Sequence, residues 1–127
     1  MKKIVLLVGA SYGLLSVVFG AFGAHALKKI WSVETLQSFE TGVKYQMYHA
    51  LVLLLIGFYF SFSTKVENSM AWFFILGTFL FSVSIYLLAF AKTWNISLSW
   101  LGPVTPLGGL LLILGWVFLL VNIYNEF

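Results

Sequence analysis

Cysteine does not occur in this chain of 127 residues, and proline occurs only 2 times. Charged residues make up 9% of it, 7 of them basic and 4 acidic. The lack of cysteine rules out a disulfide framework. The shortage of charge rules out an ordinary soluble domain, because soluble domains carry about 25% charged residues and so few could not cover a water-exposed particle of 14.3 kDa. Intrinsic disorder is excluded by the opposite count. With 61% hydrophobic and 19% aromatic residues, the chain is not short of surface to bury. Its 11 glycines follow no collagen period. What remains is an integral membrane protein, in keeping with a mean hydropathy of +1.01.

A helix needs about 20 mostly apolar residues to cross a hydrocarbon core of about 30 Å. Four stretches meet that requirement: 4–26, 45–62, 70–91 and 104–124. No charged residue falls inside any of them, as expected if a charge at mid-membrane costs about 2.5 to 3.5 kcal/mol. The pattern predicts an all-α fold, an antiparallel bundle of four transmembrane helices in one domain over 1–127. The first stretch, with Lys2 and Lys3 before it and Ala24-His25-Ala26 at its end, also has the outline of a secretory signal. Its apolar run exceeds the usual signal core of about 7 to 15 residues, so a retained span is expected. Gly9, Gly13, Ser16, Gly20 and Gly23 recur every 3 to 4 residues along it. That spacing places them on one stripe, where another helix can approach closely.

Between the first two spans, Ser32 is placed to cap a helix starting at Val33, with Glu34 in its first turn. No proline interrupts the chain from there through Phe62. One long helix is therefore predicted, with an amphipathic extension lying before the second span. Glu40 and Lys44 form an i,i+4 surface ion pair on that extension. Trp31, Tyr45, Tyr48, Trp94, Trp100 and Tyr124 lie near span ends and read as interface anchors. Before the last span, Thr105 suits an N-cap and Pro106 the first helical position. Lysines divide three to four between the two faces, so they set no orientation. They are scattered rather than gathered into a groove, which fits anionic lipid and excludes nucleic acid as a partner.

The polar residues hardest to explain gather toward the face opposite the termini. His25, Gln46, His49, Ser84, Tyr86 and Thr105 form the candidate polar site. On the second helix, Gly42, Gln46, His49 and Leu53 share one face, with Glu40 and Lys44 roughly opposite. Zinc sites usually take three or four ligands; with no cysteine or aspartate and only Glu40 near the two histidines, no metal and no cofactor is expected. No carboxylate pair lies within any span, and no G-x-S-x-G, H-E-x-x-H or phosphate-binding loop occurs, so no catalytic residue is assigned.

Three segments, Gly20-Ala21-Phe22-Gly23-Ala24-His25-Ala26-Leu27, Thr41-Gly42-Val43-Lys44-Tyr45-Gln46-Met47-Tyr48-His49-Ala50-Leu51 and Thr105-Pro106-Leu107-Gly108-Gly109, together resemble the family called domain of unknown function 423. Phe81-Ser82-Val83-Ser84-Ile85-Tyr86 is similar to that family's third-helix motif, with Val83 where a glycine is expected. The resemblance covers nearly the whole chain. It implies a small multi-pass protein of the bacterial inner (plasma) membrane and supplies no activity, cofactor or catalytic residue. The functional expectation is a non-enzymatic membrane component that associates with lipid or protein, as a homo-oligomer. A small transporter or channel using His49, Gln46, Ser84 and Tyr86 is the alternative. The weakest reading is an enzyme acting on lipid headgroups at a mouth formed by Glu40, Lys44, His25 and His49.

Overall fold

The computed structural model describes all residues, Met1–Phe127, and contains helices and turns but no strand. There are four long helices: α1 (Lys2–Leu27), α2 (Val33–Tyr59), α3 (Lys65–Thr93) and α4 (Val104–Glu126). Three of them, α1, α3 and the segment containing α4, are long and apolar enough to cross a membrane. The 27 residues of α2 would extend about 40 Å at 1.5 Å per residue, but its first half is polar.

Local chemistry sets the ends of these helices. The Ser32 hydroxyl accepts the Thr35 N–H at 3.2 Å, which starts α2 at Val33. The second and third predicted spans need different boundaries. α2 stops at Tyr59, three residues short of the predicted span end, and α3 starts at Lys65, within the polar stretch that follows Phe62. Thr64 and Glu67 make a capping arrangement there: the Thr64 hydroxyl accepts the Glu67 N–H at 3.1 Å, and the Glu67 carboxylate accepts the Ser63 N–H at 2.9 Å. Asn68 donates to the Phe62 carbonyl at 3.1 Å and holds that residue at φ 60, with its ring turned into the core. Thr105 does not cap α4. The helix begins one residue earlier, at Val104, and no side chain caps it. Pro106 is tolerated in this first turn, where the missing N–H has no intrahelical partner.

In two places the α-helical phase is broken. Phe19–Gly23 in α1 and Phe79–Val83 in α3 are π-helical turns, each of which shifts the residues beyond it around the helix axis.

Helix α1 packs chiefly along α2, α4 chiefly along α3, and α2 against α3, whereas α1 and α4 do not pack on one another. The small-residue stripe of α1 serves the α1–α2 contact. A Cβ on Gly9 would stand 3.0 Å from that of Leu53, one on Gly20 3.3 Å from Val43, and one on Gly23 3.5 Å from the Phe39 ring. Ser16 is buried in the same contact and donates to the Tyr12 carbonyl. The stripe is thus used within the chain rather than left for a second copy. Helix α4 approaches α3 most closely at Gly108, where an added Cβ would lie 2.4 Å from the Phe81 backbone nitrogen. An aliphatic and aromatic core around Val5, Leu53, Met70, Phe74 and Leu112 fills the half of the bundle nearer the termini. A smaller one around Trp31, Phe39 and Tyr86 fills the other half.

Candidate functional site

Gln46 faces inward from α2 and joins three helices. Its amide nitrogen donates to the Tyr12 carbonyl of α1 at 3.0 Å, and its oxygen accepts the Tyr86 hydroxyl of α3 at 2.8 Å. Gly42 makes room for this, because a Cβ there would sit 2.8 Å from the Tyr86 ring. One turn away on α3, the Ser82 hydroxyl donates to the Gly42 carbonyl at 2.7 Å. Tyr12 closes the layer by donating its hydroxyl to the Ile75 carbonyl at 2.8 Å.

His49 lies one turn deeper on the same buried face, and its tautomer follows from its partners. The Tyr45 carbonyl, 2.7 Å from Nδ1, can only accept, so Nδ1 carries the proton. The Trp116 indole N–H, 3.2 Å from Nε2, can only donate, so Nε2 is the acceptor. Both ring nitrogens of a neutral imidazole are thereby occupied. No group of three or more histidine, cysteine or acidic side chains is placed to hold a metal. His49→Ala is expected to leave metal content per protein at the wild-type level, by plasma mass spectrometry, while lowering thermal stability in detergent by about 1 to 2 kcal/mol through the freed indole. A stoichiometric metal lost with His49 would contradict this assignment.

Ser84 and Thr105 share a hydrogen bond of 2.6 Å that fastens the start of α4 to α3. This is why Thr105 is not a cap: its hydroxyl is taken by another helix. His25 does not join the polar site. It is exposed on the last turn of α1 and makes no side-chain hydrogen bond. Glu40 and Lys44 are both exposed and form no salt bridge within 4.0 Å. The tenths of a kcal/mol available to such a pair do not fix two long side chains. Trp31 is not an interface anchor but is buried, its indole N–H bonded to Thr93 and its ring edge-on to Phe39 and Phe90. Tyr45, Tyr48, Trp94, Trp100 and Tyr124 are exposed.

Sequence reasoning passed over Tyr12, Ser82, Trp116 and Asn122. Asn122 donates to the Phe118 carbonyl at 3.0 Å and contacts the Met70 sulfur at 3.4 Å. The Thr78 hydroxyl is the one buried side-chain polar atom without a partner.

Because α2 and α4 do not pack backbone to backbone, a trough runs between them. Its upper part is a cavity of about 620 Å³ lined by Thr35, Ser38, Lys92, Ser99, Thr105 and Pro106, among others. The lower part, about 560 Å³, lies over His49, Phe81, Ile113 and Trp116 and also reaches Pro106.

A family model described as "Protein of unknown function (DUF423)" matches residues 19–109. Among curated proteins, a UPF0382 membrane protein of Staphylococcus haemolyticus is 38% identical over 123 residues, covering 97% of each chain. The UPF0382 membrane protein YwdK of Bacillus subtilis is 37% identical over 121 residues, covering 94% of each. Another UPF0382 membrane protein, from Staphylococcus aureus, is 36% identical over 123 residues, with 97% of each chain covered. No solved structure matches the chain.

Proposed function

The chain belongs to the DUF423 family, and from that premise we propose that it is a non-enzymatic component of the bacterial plasma membrane, crossing it four times and associating with lipid. The observation that carries this reading is the pairing of the buried polar groups, the Thr78 hydroxyl excepted. Gln46, His49, Ser82, Ser84, Tyr86 and Asn122 all bond to other groups of the same chain. In a bilayer such bonds fasten helices together, since no water is present to satisfy a loose polar group. Side chains committed in this way do not line a conducting path. No charged residue lies in the apolar stretches to relay protons or act as a mid-depth acid or base.

The fourth crossing is α2. Gly42, Gln46 and His49 are buried, whereas Glu34, Gln37, Ser38, Glu40, Thr41 and Lys44 stay exposed at its start, so in this reading the crossing part is the apolar stretch 45–62. Lipid, rather than a second copy, is the associating partner in this reading, because the glycine stripe is already occupied by α2.

Flux through reconstituted vesicles tests the reading. Vesicles holding the wild-type protein are expected to pass protons and small ions no faster than protein-free vesicles and no faster than those holding Gln46→Leu. A wild-type flux that Gln46→Leu abolishes would establish the transporter reading instead.

A further inference from the structure

The two parts of the trough between α2 and α4 are both largely apolar and differ in charge and in hydroxyl content. At the upper end Lys92 is the only charged lining residue, accompanied by the hydroxyl-bearing Thr35, Ser38, Ser99 and Thr105. No carboxylate lines this part, and Lys92 is exposed without a salt bridge or hydrogen bond. The lower end, by contrast, is walled by Phe81, Leu110, Ile113 and Trp116. Pro106 borders both parts, which makes them neighbours. From Ser38 at the top to His49 at the bottom is eleven residues of α2, about 16 Å of helix. A phosphate-sized anion level with Lys92 and one chain running down α2 toward His49 would occupy both cavities.

We propose that this trough binds one anionic glycerophospholipid, its phosphate between Lys92 and the Ser38 and Ser99 hydroxyls and one acyl chain along Phe81, Ile113 and Trp116. Charge complementarity selects the occupant. An unpaired ammonium beside hydroxyl donors favours a headgroup of net negative charge over a zwitterionic one, whose own cation would sit near Lys92. The apolar lower trough favours a tethered chain over a free anion.

The inference rests on the lipid-associating reading above and deepens it. The test is native mass spectrometry of the full chain released from detergent containing phosphatidylglycerol or phosphatidylcholine of identical chains. The wild type is expected to retain one phosphatidylglycerol at least five times as often as phosphatidylcholine. Lys92→Glu should lower phosphatidylglycerol retention at least five-fold, and Lys92→Arg should preserve it. Lys44→Glu, an exposed charge outside the trough lining, should leave it unchanged. Ile113→Trp, which fills the lower trough from an exposed position, should reduce retention of both lipids. Excess inorganic phosphate should not displace the bound lipid. Helix content and melting point, measured for each variant, separate loss of lipid from loss of fold.

Equal loss in Lys44→Glu, or full retention in Lys92→Glu, would overturn the headgroup site. Displacement by inorganic phosphate would overturn it in favour of a free-anion site, and a lipid-free dimer in favour of a second copy of the chain. If both lipids are retained alike and Lys92→Glu changes neither, the anionic site fails while the lipid-associating reading stands. If the wild type retains no lipid of either kind, both fail.

Discussion

Gly108→Ala is expected to loosen α4 from α3 and to lower stability by about 3 kcal/mol, at the upper end of what overpacking costs. The added methyl would lie 2.4 Å from the Phe81 nitrogen, 2.8 Å from its Cα and 2.9 Å from the Leu80 carbonyl carbon. These are backbone atoms of a helix, so no rotamer change can relieve the clash. The two helices would have to separate instead. Separation would stretch the 2.6 Å Ser84–Thr105 bond at one end of the contact and the Trp116–His49 bond further along. Between membrane helices these contacts have no hydrophobic driving force to replace them, because lipid is as apolar as the side chains they bury. Gly109→Ala is the matched control. Its Cβ would meet only the Phe81 ring, at 3.8 Å, an ordinary contact. Unfolding in mixed micelles with increasing dodecyl sulfate should move the Gly108→Ala midpoint sharply down and leave that of Gly109→Ala within error.

Gln46→Leu ranks next. It removes the acceptor for the Tyr86 hydroxyl and the donor to the Tyr12 carbonyl in one change. Hydrogen bonds between membrane helices average about 0.6 kcal/mol and reach about 1.7, and a donor left unpaired adds a desolvation cost of about 1 to 3 kcal/mol. A loss of about 2 to 3 kcal/mol is therefore expected. Tyr86→Phe breaks one bond and should cost less. The double variant should lose less than the two single losses added together, because removing both partners leaves no orphaned hydroxyl. Strict additivity in the same mixed-micelle titration would show that the two side chains do not interact.

The residues of α2 show how much of this was legible beforehand. Gly42, Gln46, His49 and Leu53 repeat at helical spacing, and all four are buried. Helical phase is a local property, so spacing alone sufficed. The start of α3 is also local: Thr64 and Glu67 have the spacing of a capping box, although hydropathy alone starts that span only at residue 70. His25 failed for a different reason. It lies two residues beyond Gly23, about 200° around the helix from the stripe that faces α2. Depth in the membrane had grouped it with Gln46 and His49; direction separates them.

The rest depends on contacts between distant parts of the chain. Trp116 and His49 are 67 residues apart, and Ser84 and Thr105 are 21 apart. No pattern along the sequence pairs them. Thr105 has the chemistry of a cap, but a hydroxyl on a neighbouring helix competed for it successfully. Neither π-helical turn was signalled by composition, since Phe19–Gly23 and Phe79–Val83 are as apolar as their surroundings.

The central claim is that the buried polar groups sit in a closed, dry bundle whose two ends lie on opposite faces of the membrane. The absence of native cysteine makes this measurable by single-cysteine accessibility in intact membranes. Ser82→Cys and Ser84→Cys, replacing nearly fully buried residues, are predicted to resist a small charged thiol reagent until the protein is denatured. Ser63→Cys and Ser97→Cys, at exposed connections, should react freely, each from a different side. Rapid labelling of Ser82→Cys in the folded protein, or labelling of Ser63→Cys and Ser97→Cys from the same side, would contradict the account.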